Sequence, residues 1–290
     1  KKSILLRLAL VAVCTFCVAR VDAAITATLT ASPAQPRPVG TRITWTVSAT
    51  DTAAGTLDYR FGIREPGGSF STVRDFGISK VLSWTPSAHE GIYEVRVTVR
   101  NRSTKATAIR TEMYLISSRV TSGSPVVSRT QHPLVALYSA PACPAGSEMR
   151  VRFQRPGELY GQKTPLKPCT PAFSMNFYLA GMLPNTQYSI KHDLFTSSSV
   201  ETGPTLSFST GPLASGLPTY TVSNPANPPS SLAEPILLNS NSVATDLSGR
   251  IVWYDPDMGQ GVRRPVPGGT FLLFRDDVFF EEIDLVGNVL

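Results

Sequence analysis

Apolar and polar residues alternate strictly along several stretches of the first 118 residues. The apolar positions of these stretches are Ile43, Trp45, Val47 and Ala49, then Leu57, Tyr59, Phe61 and Ile63, then Tyr93, Val95, Val97 and Val99. Successive side chains of a β-strand point to opposite faces of its sheet, so this alternation predicts strands with one face on a core and one in water. Turn-forming clusters at 51–55 and 65–68 separate these strands. The pattern predicts a β-sandwich over residues 24–118.

A tyrosine at the head of one predicted strand refines this expectation. Gly91-Ile92-Tyr93 has the form of a tyrosine corner, a tie found in immunoglobulin-like sandwiches. No cysteine occurs in residues 24–118. We therefore expect an immunoglobulin-like sandwich without the core disulfide of antibody domains.

A second sandwich is predicted over residues 119–211. The segment Met182-Leu183-Pro184-Asn185-Thr186-Gln187-Tyr188 resembles the Leu-x-Pro-Gly-Thr-x-Tyr corner of fibronectin type III domains, with Met182 in the Leu place and Asn185 in the Gly place. Residues 206–211 resemble the closing strand of that family. The resemblance covers roughly 35 residues and implies a fibronectin type III-like sandwich.

The cysteines indicate an oxidising compartment. Cys14 and Cys17 lie in the hydrophobic N-terminal stretch, so Cys143 and Cys169 are the pair that remains beyond it. An isolated pair in an exported protein is most economically one disulfide. Two cysteines without a nearby histidine cannot complete a four-ligand zinc site, so we expect no metal site there.

The first 23 residues have the three parts of a secretory signal. Lys1 and Lys2 precede an apolar stretch at 8–19, and Val21-Asp22-Ala23 offers small residues for cleavage before Ala24. A transmembrane helix needs about 20 apolar residues, more than this stretch contains. A retained membrane anchor is the alternative. We expect residues 1–23 to be a signal peptide, no stable membrane span after cleavage, and a periplasmic or extracellular location.

Residues 212–235 are predicted to be a proline-rich linker. They include six prolines: Pro212, Pro218, Pro225, Pro228, Pro229 and Pro235. The charge balance also changes here. Residues 24–211 carry 19 Lys/Arg and 11 Asp/Glu, whereas residues 212–290 carry 4 Arg and 9 Asp/Glu. Proline at this density stiffens a chain and cannot donate hydrogen bonds to a sheet. The basic excess is spread singly, without the dense run that tracks phosphates, so we expect no nucleic-acid partner.

Residues 236–290 contain an internal repeat. Asp246-Leu247-Ser248-Gly249 returns 38 residues later as Asp284-Leu285-Val286-Gly287, each between apolar stretches. Asp-Leu-x-Gly between strands predicts a tight turn in which glycine supplies the positive φ. Repeats of about 40–50 residues built from such hairpins are typical of β-propeller blades, although two hairpins could also coincide by chance.

Three segments of this repeat region resemble a known family. Residues 244–254, 268–273 and 282–289 look like the first blade of bacterial aryl-sulfate sulfotransferases. The resemblance implies a leading β-sandwich region followed by a six-bladed propeller. In that family a histidine accepts the sulfuryl group of a phenolic sulfate ester and passes it to a second phenol, without a nucleotide donor. The resemblance covers residues 234–290, about a fifth of the chain.

The fold class expected for the whole chain is therefore all-β, with two tandem sandwiches and the first blade of an incomplete propeller at 236–290. The repeat offset places the end of the chain inside a repeat, and the family's catalytic residues belong to later blades. We therefore predict no catalytic, cofactor-binding or metal-binding residue here, and expect the terminal segment to lack a neighbour for one face. The phenolic sulfate donor and phenol acceptor belong to a longer parent protein.

The remaining candidates for chemistry are predicted to be structural. His89, His132 and His192 lack sequence partners for catalysis, and His132, before Pro133, is expected in an extended surface segment. Residues 255–259 have only part of a calcium loop, and the carboxylates at 276–282 are expected to be solvated. Trp45, Trp84 and Trp253 are expected in cores.

Two other functions remain open. One is a non-enzymatic surface or adhesion protein with sandwich modules, and the other is a propeller that binds a ligand without catalysis. Whether the parent is an enzyme depends on residues beyond Leu290.

Overall fold

The computed structural model describes residues 24–158, 161–223, 237–239, 242–256, 261–266, 269–275 and 279–288, with the backbone alone at 237–239, 261–266, 275 and 279–281. The signal-like residues 1–23 lie outside this part. All regular elements of the described residues are β-strands, which confirms the expected all-β class.

Eight strands form the first sandwich. They are β1 (Ile25–Ser32), β2 (Arg37–Pro38), β3 (Ile43–Asp51), β4 (Leu57–Arg64), β5 (Phe70–Gly77), β6 (Val81–Trp84), β7 (Gly91–Asn101) and β8 (Thr107–Ser117). One sheet has the order β1-β3-β6 and the other β2-β8-β7-β4-β5. All pairs are antiparallel except β2 with β8. The predicted alternation is confirmed, because Trp45, Phe61 and Val97 are each at most 1% exposed between the sheets.

The second sandwich follows with nine strands. They are β9 (Val126–Arg129), β10 (Ala136–Ala140), β11 (Glu148–Gln154), β12 (Gln162–Lys163), β13 (Lys167–Pro168), β14 (Met175–Leu179), β15 (Gln187–Phe195), β16 (Val200–Thr202) and β17 (Leu206–Ser209). One sheet has the order β14-β10-β9, and the other contains β12-β11-β15 with β17 and β16 on the far side of β15. Between them lie Tyr138, Val151, Phe177 and Ile190, each at most 1% exposed.

Both predicted tyrosine corners are present. The Tyr93 hydroxyl donates to the His89 carbonyl oxygen at 2.8 Å, at the start of β7. The Tyr188 hydroxyl accepts the Leu183 N–H at 2.8 Å, at the start of β15. Each bond ties a strand to the loop that leads into it, which fixes where the strand enters its sheet.

The two sandwiches share a bonded junction. The His89 ring stacks on Phe173 with centroids 4.4 Å apart, and Glu90 accepts the Ser174 N–H at 2.9 Å. Asn176 donates from Nδ2 to the Ala88 carbonyl at 3.0 Å. These contacts join the loop before β7 to the start of β14.

Two three-stranded sheets make up the C-terminal region. They contain β18 (Leu237–Asn239), β19 (Val243–Thr245) and β20 (Ile251–Tyr254), then β21 (Gly261–Val266), β22 (Thr270–Arg275) and β23 (Phe279–Ile283). Each sheet is antiparallel and pairs its strands in sequence order.

Candidate functional site

The two Asp-Leu-x-Gly turns have the same geometry. In the first, Asp246 Oδ1 accepts the N–H groups of Ser248 and Arg250, both at 2.9 Å, and Oδ2 accepts Nε of Arg250 at 2.7 Å. In the second, Asp284 Oδ1 accepts the N–H groups of Val286 and Asn288 at 2.8 and 2.9 Å, and Oδ2 accepts Nδ2 of Asn288 at 2.9 Å. The predicted turns are confirmed, and in both of them equivalent aspartate oxygens accept equivalent hydrogen bonds.

Glycine is required in both turns. Gly249 and Gly287 have φ of 76° and 87°, a region that side chains with a Cβ rarely adopt. A Cβ on Gly287 would also lie 2.9 Å from Cδ of Pro256. The second turn is thus covered by the chain that follows β20, so the repeat units contact each other.

Trp253 connects the two repeat units. Its Nε1 donates to the Leu285 carbonyl in the second turn at 2.8 Å, and its ring lies 4.5 Å from that of Phe271 on β22. The side chain is 2% exposed, as expected for a core tryptophan. An indole N–H that finds a partner avoids the cost of a buried unpaired donor.

The second sandwich supplies the neighbour that the sequence did not predict for the C-terminal region. Val135, Tyr178, Ala180 and Leu183 of the sandwich belong to the same apolar cluster as C-terminal residues. The C-terminal members of this cluster are Ala244, Val252, Trp253, Phe271, Leu273, Ile283, Leu285 and Val286. The expectation of an uncovered face is therefore wrong for these residues, because residues of the second sandwich, more than 60 positions earlier in the chain, cover them.

His132 lies at the centre of this junction, and its predicted surface position is wrong. The residue is 1% exposed, because its ring packs beside Tyr254 at 4.6 Å and Trp253 at 6.1 Å. Its Nδ1 accepts the Leu134 N–H at 3.0 Å, so the proton is on Nε2, which donates to the Tyr254 carbonyl at 2.9 Å. Burial lowers the pKa of His132 to about 4, which keeps the ring neutral.

A groove opens beside this junction. It has a volume of about 550 Å³ and lies between the corner before β15, residues 213–220 of the predicted linker and the first repeat turn. Leu213, Ala214, Leu217 and Tyr220 also pack against a cluster that contains Leu134 and Ile251. The described part of the linker, residues 212–223, is thus packed against both neighbours.

The other two histidines do not form a catalytic arrangement with His132. His192 faces the core of the second sandwich, where its Nδ1 lies 2.7 Å from the Tyr138 hydroxyl. Burial raises the pKa of Tyr138 and lowers that of His192, so the pair is held neutral. His89 lies at the junction of the sandwiches. The three rings therefore serve three separate packing roles.

The other predicted positions have structural roles where they are described. Asp284 is in the second turn as expected, and Glu282 is exposed and accepts the Thr270 hydroxyl. Asp255 is 2% exposed, whereas the rest of the calcium-like loop, 257–259, lies outside the described residues. Asp276 and Asp277 are also outside them, as is the side chain of Glu281. Trp84 is half-buried and packs edge-on against Tyr93.

The disulfide is present as expected. Cys143 and Cys169, which are 26 positions apart in the sequence, are bonded, and both are at most 8% exposed. Within the described ranges, no group of three or more metal-ligating side chains could hold a metal ion. In the same ranges, no helix is long and apolar enough to cross a lipid bilayer.

Comparison with known proteins gives structural neighbours only. No family profile matches the chain, and no curated protein gives a significant match. One solved structure, of the FN1–FN3 domains of chicken CNTN1, is 15% identical with a TM-score of 0.25, over 60% of this chain and 64% of that one. A two-domain fibronectin type III segment of chicken tenascin is 14% identical with a TM-score of 0.26, over 63% and 97%. The chain thus spans less than two thirds of the length of the first neighbour.

Proposed function

We propose that this chain is the N-terminal, non-catalytic region of an exported protein related to aryl-sulfate sulfotransferases. In this proposal residues 24–118 and 119–211 are accessory sandwich domains, and residues 212–235 link them to a propeller that begins at 236–290. The observation that carries the proposal is the pair of equivalent turns, 38 residues apart, with Trp253 of one unit bonded to Leu285 of the next. Repeat units that bury their faces on each other are the basis of propeller and solenoid folds.

The packed junction supports an accessory role for the second sandwich. A first repeat unit has no preceding blade, so its apolar face needs another cover. The cluster around Val135 and Tyr178 provides one, and His132 bonds the two parts together. The sandwich would then act as the cap on which the propeller starts.

The proposed chemistry lies outside this chain. A histidine ring nitrogen of a later blade would take the sulfuryl group as the donor phenolate leaves, and a second phenol would then take that group from the histidine. Such a transfer needs a positioned nucleophile and groups that stabilise the developing charge. The described residues of this chain bring no such set together.

The reading frame that follows Leu290 provides the first test. We expect about 200–300 further residues in repeats of 40–50, with histidines near the starts of blades. The full product should transfer sulfate from 4-nitrophenyl sulfate to phenol, whereas residues 24–290 should not. A stop codon or further sandwich repeats after Leu290 would contradict the proposal, as would turnover by residues 24–290 above a mock preparation.

A non-enzymatic binding or adhesion protein is the second candidate. The disulfide is typical of extracellular proteins, and the two sandwiches suit a spacer or binding role. The specific observation in its favour is an arginine-rich outer face on the first sandwich, where guanidinium groups stack on two phenylalanine rings. A propeller that binds a ligand without catalysis would also continue in repeats of 40–50 residues, but the full product would show no turnover.

A further inference from the structure

Four arginines lie on the outer face of the larger sheet in the first sandwich. Arg60 and Arg64 belong to β4, and Arg96 and Arg100 to the neighbouring strand β7. In the antiparallel register Arg64 is opposite Glu94, and Arg100 is opposite Asp58. All four point away from the core, because they alternate with the buried residues Phe61, Ile63, Val97 and Val99.

Two phenylalanines of the edge strand β5 hold these arginines in place. The guanidinium carbons of Arg96 and Arg64 lie 3.6 and 5.1 Å from the centroid of the Phe70 ring. Those of Arg100 and Arg60 lie 3.8 and 4.8 Å from the centroid of Phe76. A guanidinium stacked on a ring loses conformational freedom before any ligand arrives. The face is therefore preorganised for binding.

Within the part of the chain that the structure describes, two of the four guanidinium groups have carboxylate partners. Arg100 makes a two-pronged contact with Asp58, at 3.1 and 2.7 Å, and Arg64 is paired with Glu94. Among the described residues, neither Arg60 nor Arg96 has a carboxylate within ion-pair distance. Arg96 has a long hydrogen bond of 3.4 Å to the Thr111 hydroxyl. Two positive charges on this face thus have no ion-pair partner among the described residues.

These two arginines border the same hollow. It has a volume of about 190 Å³ and is lined by Arg60, Gly62, Phe70, Ser71, Thr72, Arg96, Thr98 and Ile109. Gly62 is opposite Arg96 in the register and has no side chain to fill the space. Two guanidinium groups and two threonine hydroxyls around one depression offer hydrogen-bond donors to the acceptor oxygens of a carboxylate.

An apolar stripe runs beside the hollow. Ile109, Met113 and Leu115 of β8 are 63%, 64% and 42% exposed, and Ile92 of β7 is 57% exposed. The register places Ile109 opposite Thr98 and Leu115 opposite Ile92, so the stripe follows the edge of the same face. Exposed apolar side chains grouped beside charged groups indicate an interaction surface.

We propose that this arginine–phenylalanine face is a docking site for a protein partner that presents an acidic, partly apolar peptide segment. A carboxylate of the segment binds in the hollow between Arg60 and Arg96, and its apolar side chains cover Ile109, Met113 and Leu115. Charge complementarity argues for the acid, and the apolar stripe argues for a peptide over a polysaccharide, because hydroxyl-rich sugars gain little from contact with isoleucine and methionine. The site is independent of whether the parent protein is an enzyme.

The test titrates the purified chain with a fluorescein-labelled peptide of alternating aspartate and leucine. The double variant Arg60→Gln/Arg96→Gln should weaken binding by about tenfold or more, since charge-assisted hydrogen bonds are lost. Arg42→Gln/Lys80→Gln is the matched control, because it removes two exposed charges from the other side of the sandwich and should change binding by less than about twofold. An asparagine–leucine peptide should bind no variant measurably.

Two further measurements complete the test. Ile109→Thr/Met113→Thr replaces two exposed apolar side chains by neutral ones that suit a strand, so it should keep the fold and should weaken binding by about fivefold or more, because apolar contacts are lost. Equal weakening by the Arg42/Lys80 control would overturn the proposal, and so would binding unaffected by the loss of Arg60 and Arg96. Heparin that competes fully and depends on the two arginines, but not on Ile109 and Met113, would identify a polysaccharide site instead.

Discussion

The imidazole Nε2 of His132 donates a hydrogen bond of 2.9 Å to the carbonyl oxygen of Tyr254, 122 residues further along the chain. This bond joins the segment before β10 to the end of β20. It lies inside the packed junction, since both residues are at most 4% exposed. The second sandwich and the first C-terminal hairpin therefore share a buried polar contact as well as two apolar clusters.

The stability of this junction should depend on pH through His132. Burial lowers its folded pKa from 6.5 to about 4, so the unfolded chain takes up a proton first as the pH falls. The contribution of neutral His132 to the free energy of unfolding is on the order of 3 kcal/mol. It is fully present above pH 6.5 and is lost as the pH falls from 6.5 to about 4. Urea unfolding at pH 7 and pH 4.5 should show a larger loss for the wild type than for His132→Gln. Equal losses in the two proteins would contradict the assignment.

Both turns should depend on their aspartate. Asp246→Ala and Asp284→Ala each leave two backbone N–H groups and one side-chain donor without their acceptor, which should cost about 2 kcal/mol at Asp246 and more at Asp284, because Asp284 also bonds the Tyr178 hydroxyl. Ser248→Ala is the control, because Ser248 is exposed and bonds through its backbone, and it should change stability by less than about 0.5 kcal/mol. Thermal unfolding followed by circular dichroism measures all three. A large cost for one aspartate alone would mean that the turns are not true repeats.

The disulfide should be a major source of stability in the second sandwich. The chain-entropy relation for a loop of 26 residues gives about 3–4 kcal/mol. Cys143→Ala/Cys169→Ala should lower the free energy of unfolding in urea by that amount, and the reduced wild type should behave like the variant. Intact mass should show the oxidised protein two hydrogens lighter. A change below about 1 kcal/mol would show that the bridge adds little to the fold.

The two tyrosine corners make a matched pair of tests. Tyr188→Phe removes the acceptor of the Leu183 N–H, and Tyr93→Phe removes the donor to the His89 carbonyl. Each substitution keeps the ring and its packing, so each should cost about 1–2 kcal/mol in unfolding free energy. If either substitution leaves the free energy of unfolding unchanged, the packing of the ring stabilises that corner and the hydrogen bond does not.

Local patterns predicted the parts of this fold that depend on neighbouring residues. Alternation located β3, β4 and β7, since each buries one face and exposes the other. The motif ending in Tyr188 located its corner, because the bonded groups are five residues apart. The Asp246 and Asp284 turns were predictable for the same reason, as every bond closes within four residues.

The parts that the sequence did not predict depend on distant residues. His132 is buried by Trp253 and Tyr254, and no local pattern connects them. Leu213, Leu217 and Tyr220 are apolar residues between the prolines, and this pattern could have indicated that they pack. The sequence did not show against what, because their partners lie in the second sandwich and in the C-terminal region. The arginine–phenylalanine face has arginines four residues apart on β4 and β7, which the register alone brings together around Phe70 and Phe76.

Hydrogen exchange can show whether the C-terminal repeat is built onto the second sandwich. Mass spectrometry of the full chain should find the amides of β19, β20 and the Asp246 turn protected to a similar degree as those of β10 and β11. His132→Gln should raise exchange in β20 while leaving the first sandwich unchanged. Exchange of β19 and β20 at the rate of an unfolded chain, with both sandwiches still protected, would contradict the account.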